Sequence, residues 1–584
     1  MKKTHLLKFV LSYGKGKKWL VACALIFTLG AVASSLLLPV LIGNAIDFLV
    51  GVGQVDFVKI LIQLVYIICA IAVGFLCQWL ASICANSLSY FITQGVRNDF
   101  FAHLNKLPLS TIDGAKHGEI VSRLTTDVET IGAGLLQGFS SLFSGVITIA
   151  GTLGLMFFIN PIIAGVVVLL TPLSIIFAMF IAKRVHTQFA KQAKIQGEIT
   201  AFTQEKLGGQ KTIKAFGQEQ SCQQSFKDIN DKLYECGLKA QLYSAFVNPT
   251  TRFINNIIYA IVGVIGAVLA VFFGKITAGT LTTFLLYSNH YTKPFNEISG
   301  VIAELQSAFA SAQRVDDFLK LALESSDSDC ATLDKGDGKI VLDNISFGYT
   351  PQKTLINNLS LEIKPGQKVA IIGKTGCGKT TFINLIMRFY DVNCGQILIS
   401  GQPVNTITRR SLRSQFGMVL QDSWLFAGSV KDNIAFGRPG ASLEEIVAAA
   451  RNANADEFIQ KLQDGYDTQV QVEGQNFSQG QRQLLCLARI MLTMPPMLIL
   501  DEATSNIDTR TEAKINAAFE RLLEGKTSIV VAHRLTTIKS ADIILVMKDG
   551  DIVERGDHKT LLSYDSYYKQ LYYSQYDADS DVNN

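Results

Sequence analysis

Gly373-Lys374-Thr375-Gly376-Cys377-Gly378-Lys379-Thr380-Thr381 is the stretch on which the fold of this 584-residue chain turns. Before it runs Lys368-Val369-Ala370-Ile371-Ile372, a short apolar run that reads as a buried strand, and residues 382–389 after it carry helical spacing. Strand, glycine loop and helix are the setting in which G-x-x-x-x-G-K-[ST] cradles phosphate. The glycines let the backbone wind tightly so that successive N–H groups point into one concavity, and the helix N-terminus adds partial positive charge. Lys379 then reaches the β- and γ-phosphates, and the Thr380 hydroxyl is placed to ligate Mg²⁺. The stretch predicts a nucleotide site.

Working outward, the alternation of strands and helices from Lys339 predicts an α/β domain over 339–565. Several strand ends carry polar groups. Met497-Leu498-Ile499-Leu500-Asp501-Glu502 is an apolar strand closing in two carboxylates. Asp501 suits Mg²⁺ held through water, and Glu502 suits polarising an attacking water. His533 follows Ile529-Val530-Val531-Ala532 and would meet the γ-phosphate; Gln421 follows Gly417-Met418-Val419-Leu420. Ser478 and Gln481 have capping-box spacing at the start of a helix over 481–492.

The first half is of another kind. Only 17% of all residues are charged, below the roughly 25% of a soluble protein, and long apolar runs concentrate before residue 303. Six of them, at about 20–43, 57–84, 135–159, 162–182, 253–274 and 281–302, are long enough to cross a bilayer. The first is too long for a secretory signal. Lys2, Lys3, Lys8, Lys15, Lys17 and Lys18 precede it, whereas the following loop holds only Asp47 and Asp56 as charges. The positive-inside rule therefore assigns the N-terminus to the cytoplasm, and an even number of spans returns the second half there. Polar segments over 85–134 and 183–252 read as long helical arms continuing the spans. Asn255, Asn256, Asn289, His290, Lys293 and Glu297 fall at membrane depth or near it, where polar groups face a cavity or one another, and substrate is expected to contact the fifth and sixth spans near Asn255, Asn256, Tyr287 and Asn289. Lys293 and Glu297 are four apart and would also satisfy each other. Residues 323–338 are polar and aperiodic, a linker, and the tail over 566–584 is expected to end in disorder.

With 53 basic against 49 acidic residues, nothing points to nucleic acid. Ten scattered cysteines without metal-ligand spacing read as reduced thiols.

With these residues in place, the chain resembles an ABC exporter half-transporter over nearly its whole length: an all-α six-helix transmembrane domain over 1–322 and an α/β P-loop NTPase domain. Gly373–Thr381 matches the Walker A loop, 498–502 the Walker B strand, Gln421 the Q-loop glutamine, Ser505-Asn506-Ile507-Asp508 the D-loop and His533 the switch histidine. Tyr349 matches the aromatic that stacks on adenine. Phe477-Ser478-Gln479-Gly480-Gln481 stands at the signature position, with Gln479 where the first glycine is usual. The resemblance implies that Glu502, His533 and Gln421 serve catalysis, that Thr380, Gln421 and Asp501 hold Mg²⁺, and that Tyr349, 373–381, Ser478, Gly480 and Gln481 bind ATP. It also implies two chains paired head to tail, each ATP lying between one Walker loop and the other chain's signature helix. Helices near 110–117 and 210–217 would dock beside Gln421. The expected activity is ATP-driven export of a hydrophobic or amphipathic drug, lipid or peptide across the cell membrane by alternating access. With only about 18 residues before the first span, no peptidase domain is expected. Gln479 beside a complete Walker side favours a heterodimer over a homodimer. A channel gated by ATP is the competing class, against which Glu502 and His533 argue.

Overall fold

The computed structural model describes residues 9–10, 12–49, 55–272, 276–334, 336–350, 353–374, 376–419, 423–471, 474–501, 507–532 and 538–576. The chain divides into two compact units, Met1–Lys106 with Ala115–Leu321, and Leu107–Gly114 with Ala322–Asn584.

The first unit is helical. Each apolar run lies in helix where it is described, in Lys18–Asp47, Phe57–Leu104, Val128–Ile159, Pro161–Gly208, Glu219–Val271 and Ala278–Leu319 in turn. Among the described residues, Gly14–Asp47, Phe57–Leu104, His117–Ile159 and Arg252–Val271 are long and apolar enough to cross a membrane, and Pro161–Pro172 is a shorter apolar stretch. Ala278–Leu319 is diluted by Asn289, His290 and Lys293. The expected arms are the same helices carried onward. Three of them run for 48, 48 and 53 residues, about 72–80 Å each. Two of the starts are fixed by capping: the Asp56 carboxylate accepts from Lys59 N, and Asn160 Oδ1 accepts from Ile162 N ahead of a helix whose first residue is Pro161.

Two features of this unit had no signal in the hydrophobic spacing. The helical run over 117–159, which leads into and forms the third span, widens into π-helical turns at Arg123–Asp127 and Gly138–Phe143. The first of these holds buried Asp127, which accepts from Arg314 Nε at 2.8 Å and Ser311 Oγ at 3.0 Å. The other feature is a seam between Lys18–Asp47 and Ala278–Leu319. Tyr287 Oη donates to Leu36 O at 2.6 Å, Thr283 Oγ1 to Pro39 O at 3.1 Å, and Gly279 N to Asp47 Oδ1 at 2.7 Å. Gly43 and Gly279 let the two backbones meet, since a Cβ on Gly43 would lie 2.6 Å from Gly279 O.

The second unit has two main sheets. Strands Ile356–Ile363, Ile340–Phe347, Cys394–Ile399 and Gln402–Pro403 form an antiparallel one in that order. The other runs Asp551–Gly556, Ile543–Lys548, Lys368–Ile372, Thr527–Val531, Met497–Asp501 and Phe416–Val419, parallel except at its first edge strand. Its inner strands Lys368–Ile372, Thr527–Val531 and Met497–Asp501 are almost wholly buried, which is why they read as unbroken apolar runs.

Residues 323–338 are aperiodic but not loose. Buried Arg409 donates to Ser325 O at 2.9 Å, Leu333 is buried in the nucleotide-side core, and Ala331 N donates to Thr406 O at 2.8 Å. Two of its polar side chains help to hold it there: Arg409 also donates to Asp327 Oδ1 at 2.5 Å and to Ser325 Oγ at 2.7 Å. At the other end, Tyr567–Tyr576 is helical and its Tyr568 is buried.

Candidate nucleotide site

Val531 is paired with both Ile371 and Asp501, so the carboxyl ends of three neighbouring strands come level. The glycine loop leaves from one of them and Asp501 closes another. Ligands of parallel α/β sheets sit outside such ends.

The loop is built by its glycines. Gly373, Gly376 and Gly378 have φ of 157°, 84° and 110°, and a Cβ on Gly373 would lie 2.4 Å from Met547 O. Gly378 caps the helix Lys379–Ile386. Lys379 is buried and points its ammonium back into the loop, donating to Gly373 O at 2.6 Å and Lys374 O at 3.2 Å. Cys377 is buried too, its carbonyl accepting from Gly550 N at 3.1 Å. A buried cation encircled by backbone, with exposed Lys374 and Thr380 at the rim, fits a polyphosphate.

Tyr349 lies at the same end. Its hydroxyl is 3.0 Å from that of Thr381, and half of the residue is exposed, at 50%. Its ring meets the edges of Phe347 and Tyr390, with centroids 5.1 Å away in each case. The sequence reading missed Tyr390; an aromatic just past a helix end has no spacing to mark it.

Gly480 and Gln481 lie in the first turn of the helix Gln479–Thr493 and Ser478 caps it; Phe477 and Leu484 tie this helix to a second core cluster, whereas Cys377 and Phe382 sit in the first. Ser478 Oγ accepts from Gln481 N at 3.3 Å and Gln481 Oε1 from Ser478 N at 2.9 Å, the capping box read from the spacing. Gln479 is half-buried at the first helical position with ordinary helical φ. Gly480 is the glycine the fold requires, since its Cβ would lie 2.4 Å from Thr511 Cγ2. Asp508 caps the next helix by accepting from Thr511 N at 2.9 Å, which holds its carboxyl below the usual range. Thr375, Gln421, Glu502, Ser505, Asn506 and His533 lie outside the described residues.

Of the polar residues expected to meet substrate, Asn256 and Asn289 are exposed and Asn255 is half-buried. Tyr287 is not at a surface: it is fully buried, with its hydroxyl bonded to Leu36 O. A phenol at membrane depth finds a partner inside the bundle when a backbone carbonyl lies within reach.

Residues 21–295 match the family described as ABC transporter transmembrane region, and 356–505 that described as ABC transporter. The chain belongs to the ABC transporter family. It is 37% identical over 575 residues to the uncharacterized ABC transporter ATP-binding protein YfiC of Bacillus subtilis, covering 98% of this chain and 94% of that one. It is 40% identical over 476 residues to a fatty acid ABC transporter ATP-binding/permease protein of Mycobacterium tuberculosis, covering 82% and 75%. The solved structure of a bacterial Atm1-family ABC exporter with ATP bound matches at a TM-score of 0.77, with 28% identity and coverage of 96% and 98%. The ABC transporter is thus an ATP-driven exporter: an N-terminal helical transmembrane domain, multi-pass in the membrane, precedes an α/β ATP-binding domain whose ATP hydrolysis is coupled to transport.

Proposed function

We propose that this exporter moves an amphipathic molecule bearing an acyl chain out of the cytoplasm across the cell membrane. The lysine-rich N-terminus supports that orientation, with the ATP-binding domain cytoplasmic. The fatty acid relative supports the substrate class. The exposed Asn256 and Asn289 are the proposed polar contacts in the membrane domain.

The observation that carries the nucleotide reading is the buried Lys379 ammonium inside the glycine loop, at strand ends level with Asp501. In this reading Lys379 and the loop N–H groups hold the phosphates, and Tyr349 takes the adenine. Thr380, Asp501 and Gln421 would hold Mg²⁺, which when bound neutralises charge on the β- and γ-phosphates. Glu502 orients the attacking water and accepts its proton, and His533 contacts the γ-phosphate. Ser478, Gly480 and Gln481 offer a capped helix N-terminus to a nucleotide held by the paired chain.

The pair is proposed to be a heterodimer, because Gln479 puts a side chain where close backbone approach to the partner's nucleotide is usual. A homodimer is the second reading, favoured by the undistorted helix start at Gln479.

The test is uptake of a fluorescent fatty acid by proteoliposomes carrying the chain, alone and with a co-expressed second half-transporter. ATP-dependent uptake lost in Lys379→Ala is expected. ATPase activity that no acyl amphiphile stimulates would overturn the substrate class.

A further inference from the structure

Three aromatic rings meet edge to face beside the glycine loop. Phe347 and Tyr349 have centroids 5.1 Å apart at 82°, Tyr349 and Tyr390 5.1 Å apart at 90°, and Phe347 and Tyr390 5.8 Å apart at 70°. Such pairings fix ring planes, because the positive edge of one ring seeks the negative face of another. Phe347 is buried at the end of its strand and is the fixed member; Tyr349 follows two residues later on exposed chain. Tyr390 comes from elsewhere in the sequence, after the helix Lys379–Ile386 that the glycine loop opens. Its hydroxyl donates to Asp113 Oδ2 at 2.6 Å. Asp113 ends the short helix Leu109–Asp113, which belongs to the second unit although its sequence neighbours lie in the first.

We propose that Tyr390 is a positioning residue for the nucleotide base: it holds the Tyr349 ring in its stacking plane, and its bond to Asp113 in turn holds Tyr390. The inference rests on the proposed reading of Tyr349 as the adenine-stacking residue. Tyr349 has three contacts, the Thr381 hydroxyl at its tip and the perpendicular rings of Phe347 and Tyr390. One bond at the tip leaves the ring free to turn about its own long axis. The two perpendicular rings, Phe347 from its own strand and Tyr390 from outside it, together resist that turn, and Tyr390 is the one whose hold depends on Asp113. A base that stacks on the exposed face then meets a surface already in place, so less freedom is lost on binding. Tyr390 needs an anchor of its own, and Asp113 supplies one from a segment continuous in sequence with the long helix Phe57–Leu104. Base affinity therefore depends on whether Leu109–Asp113 is seated.

The experiment measures the KM for ATP and the inhibition constant of inorganic tripolyphosphate, which has the phosphates but no base, on the full chain in nanodiscs. Tyr390→Ala is expected to raise the KM about five- to tenfold with kcat within twofold. Tyr390→Leu keeps apolar volume without a ring and serves if the alanine variant does not fold. Tyr390→Phe and Asp113→Ala each raise the KM about two- to threefold. Their double variant is no worse than either alone, since both break one bond. The tripolyphosphate constant stays unchanged in all of them. Tyr349→Ala is the control for the site itself. If it raises the KM and Tyr390→Ala does not, or if the double variant is additive, the positioning role is overturned. If Tyr349→Ala leaves the KM unchanged, the adenine reading falls, and this proposal falls with it.

Discussion

The hydroxyl of Tyr349 lies 3.0 Å from that of Thr381, which joins an aromatic on exposed chain to the first turn of the helix after the phosphate loop. In the proposed reading, base and phosphate recognition would thereby be tied to one helix N-terminus. The same helix start carries the Lys379 ammonium, folded onto Gly373 O and Lys374 O. A polyphosphate entering this loop exchanges those neutral acceptors for charged ones, and charge-assisted hydrogen bonds are roughly twice as strong.

Glu502→Gln is expected to keep ATP binding and to lower steady-state ATPase by about a hundredfold or more, because an amide cannot accept the proton of the attacking water. Nucleotide binding by fluorescence and phosphate release by colorimetry read the two effects separately. Turnover near that of the parent would remove Glu502 from catalysis.

Gly43→Val addresses the seam in the membrane unit. The first added carbon alone would lie 2.1 Å from Thr283 Oγ1 and 2.6 Å from Gly279 O. Overpacking of this kind costs about 1–3 kcal/mol. The melting temperature of the solubilised protein should drop by several degrees, and Gly43→Ala should lower it by less. An unchanged melting curve for both would mean that the two backbones do not meet there.

Glu457 accepts from Lys461 and Lys514, which push its carboxyl down to about 2. A depressed carboxylate contributes stability above its unfolded value, and that stability is lost as pH falls toward the folded one. The window is therefore from about 4.5 down to about 2. Hydrogen exchange of Asp456–Ile459 and Thr509–Leu523 in the full chain should quicken across it, and Glu457→Gln should flatten that change. Because the pair is exposed, raising salt at neutral pH should shrink the difference between parent and variant. An equal pH response in both proteins would rule the pair out as its source.

Asn256→Ala and Asn289→Ala are expected to raise the half-stimulating concentration of an acyl amphiphile severalfold, with losses of about one hydrogen bond each. ATPase titrations in lipid nanodiscs measure it. No shift for either would place substrate contact elsewhere in the bundle.

What was legible in the sequence follows from how local the physics is. The glycine loop, the strand before it and the Ser478/Gln481 cap are each written within a few residues, and all three stand in the structure. The apolar runs were legible because the bilayer imposes a length. Tyr390 and Asp113 were not, since 277 residues separate the two ends of their bond and neither has a signature spacing. Arg409 escaped notice for the same reason: nothing in Arg409-Arg410-Ser411 says that the first arginine turns inward to bind Ser325. The fate of Tyr287 was decided by a carbonyl of another span, that of Leu36.

In the proposed reading Gln479 is the residue that separates the two dimers, and the helix start narrows how it can act. Its backbone is ordinary helix and the Ser478–Gln481 box is closed around it, so Gln479 does not unwind the end that in the proposed dimer would face the partner's nucleotide. Gly480 cannot be the compensating freedom, because Thr511 leaves its position no room for a side chain. Any effect of Gln479 is therefore carried by its side chain, which is long enough to crowd a phosphate and neutral enough to add no charge. Such crowding would slow hydrolysis at the site this signature completes and leave the chain's own Walker site intact, which is the asymmetry a heterodimer tolerates. The chain purified alone is then expected to lack substrate-stimulated ATPase, and co-expression with a second half-transporter to restore it. In that pair Glu502→Gln removes nearly all turnover, while the matching change in the partner costs much less. Gln479→Gly should speed the slower site without altering the helix, since glycine at a first-turn position costs the fold about 1 kcal/mol or less. A stable homodimer with full stimulated ATPase, unchanged by Gln479→Gly, would establish that the side chain stands clear of the nucleotide and that the exporter works as two copies of one chain.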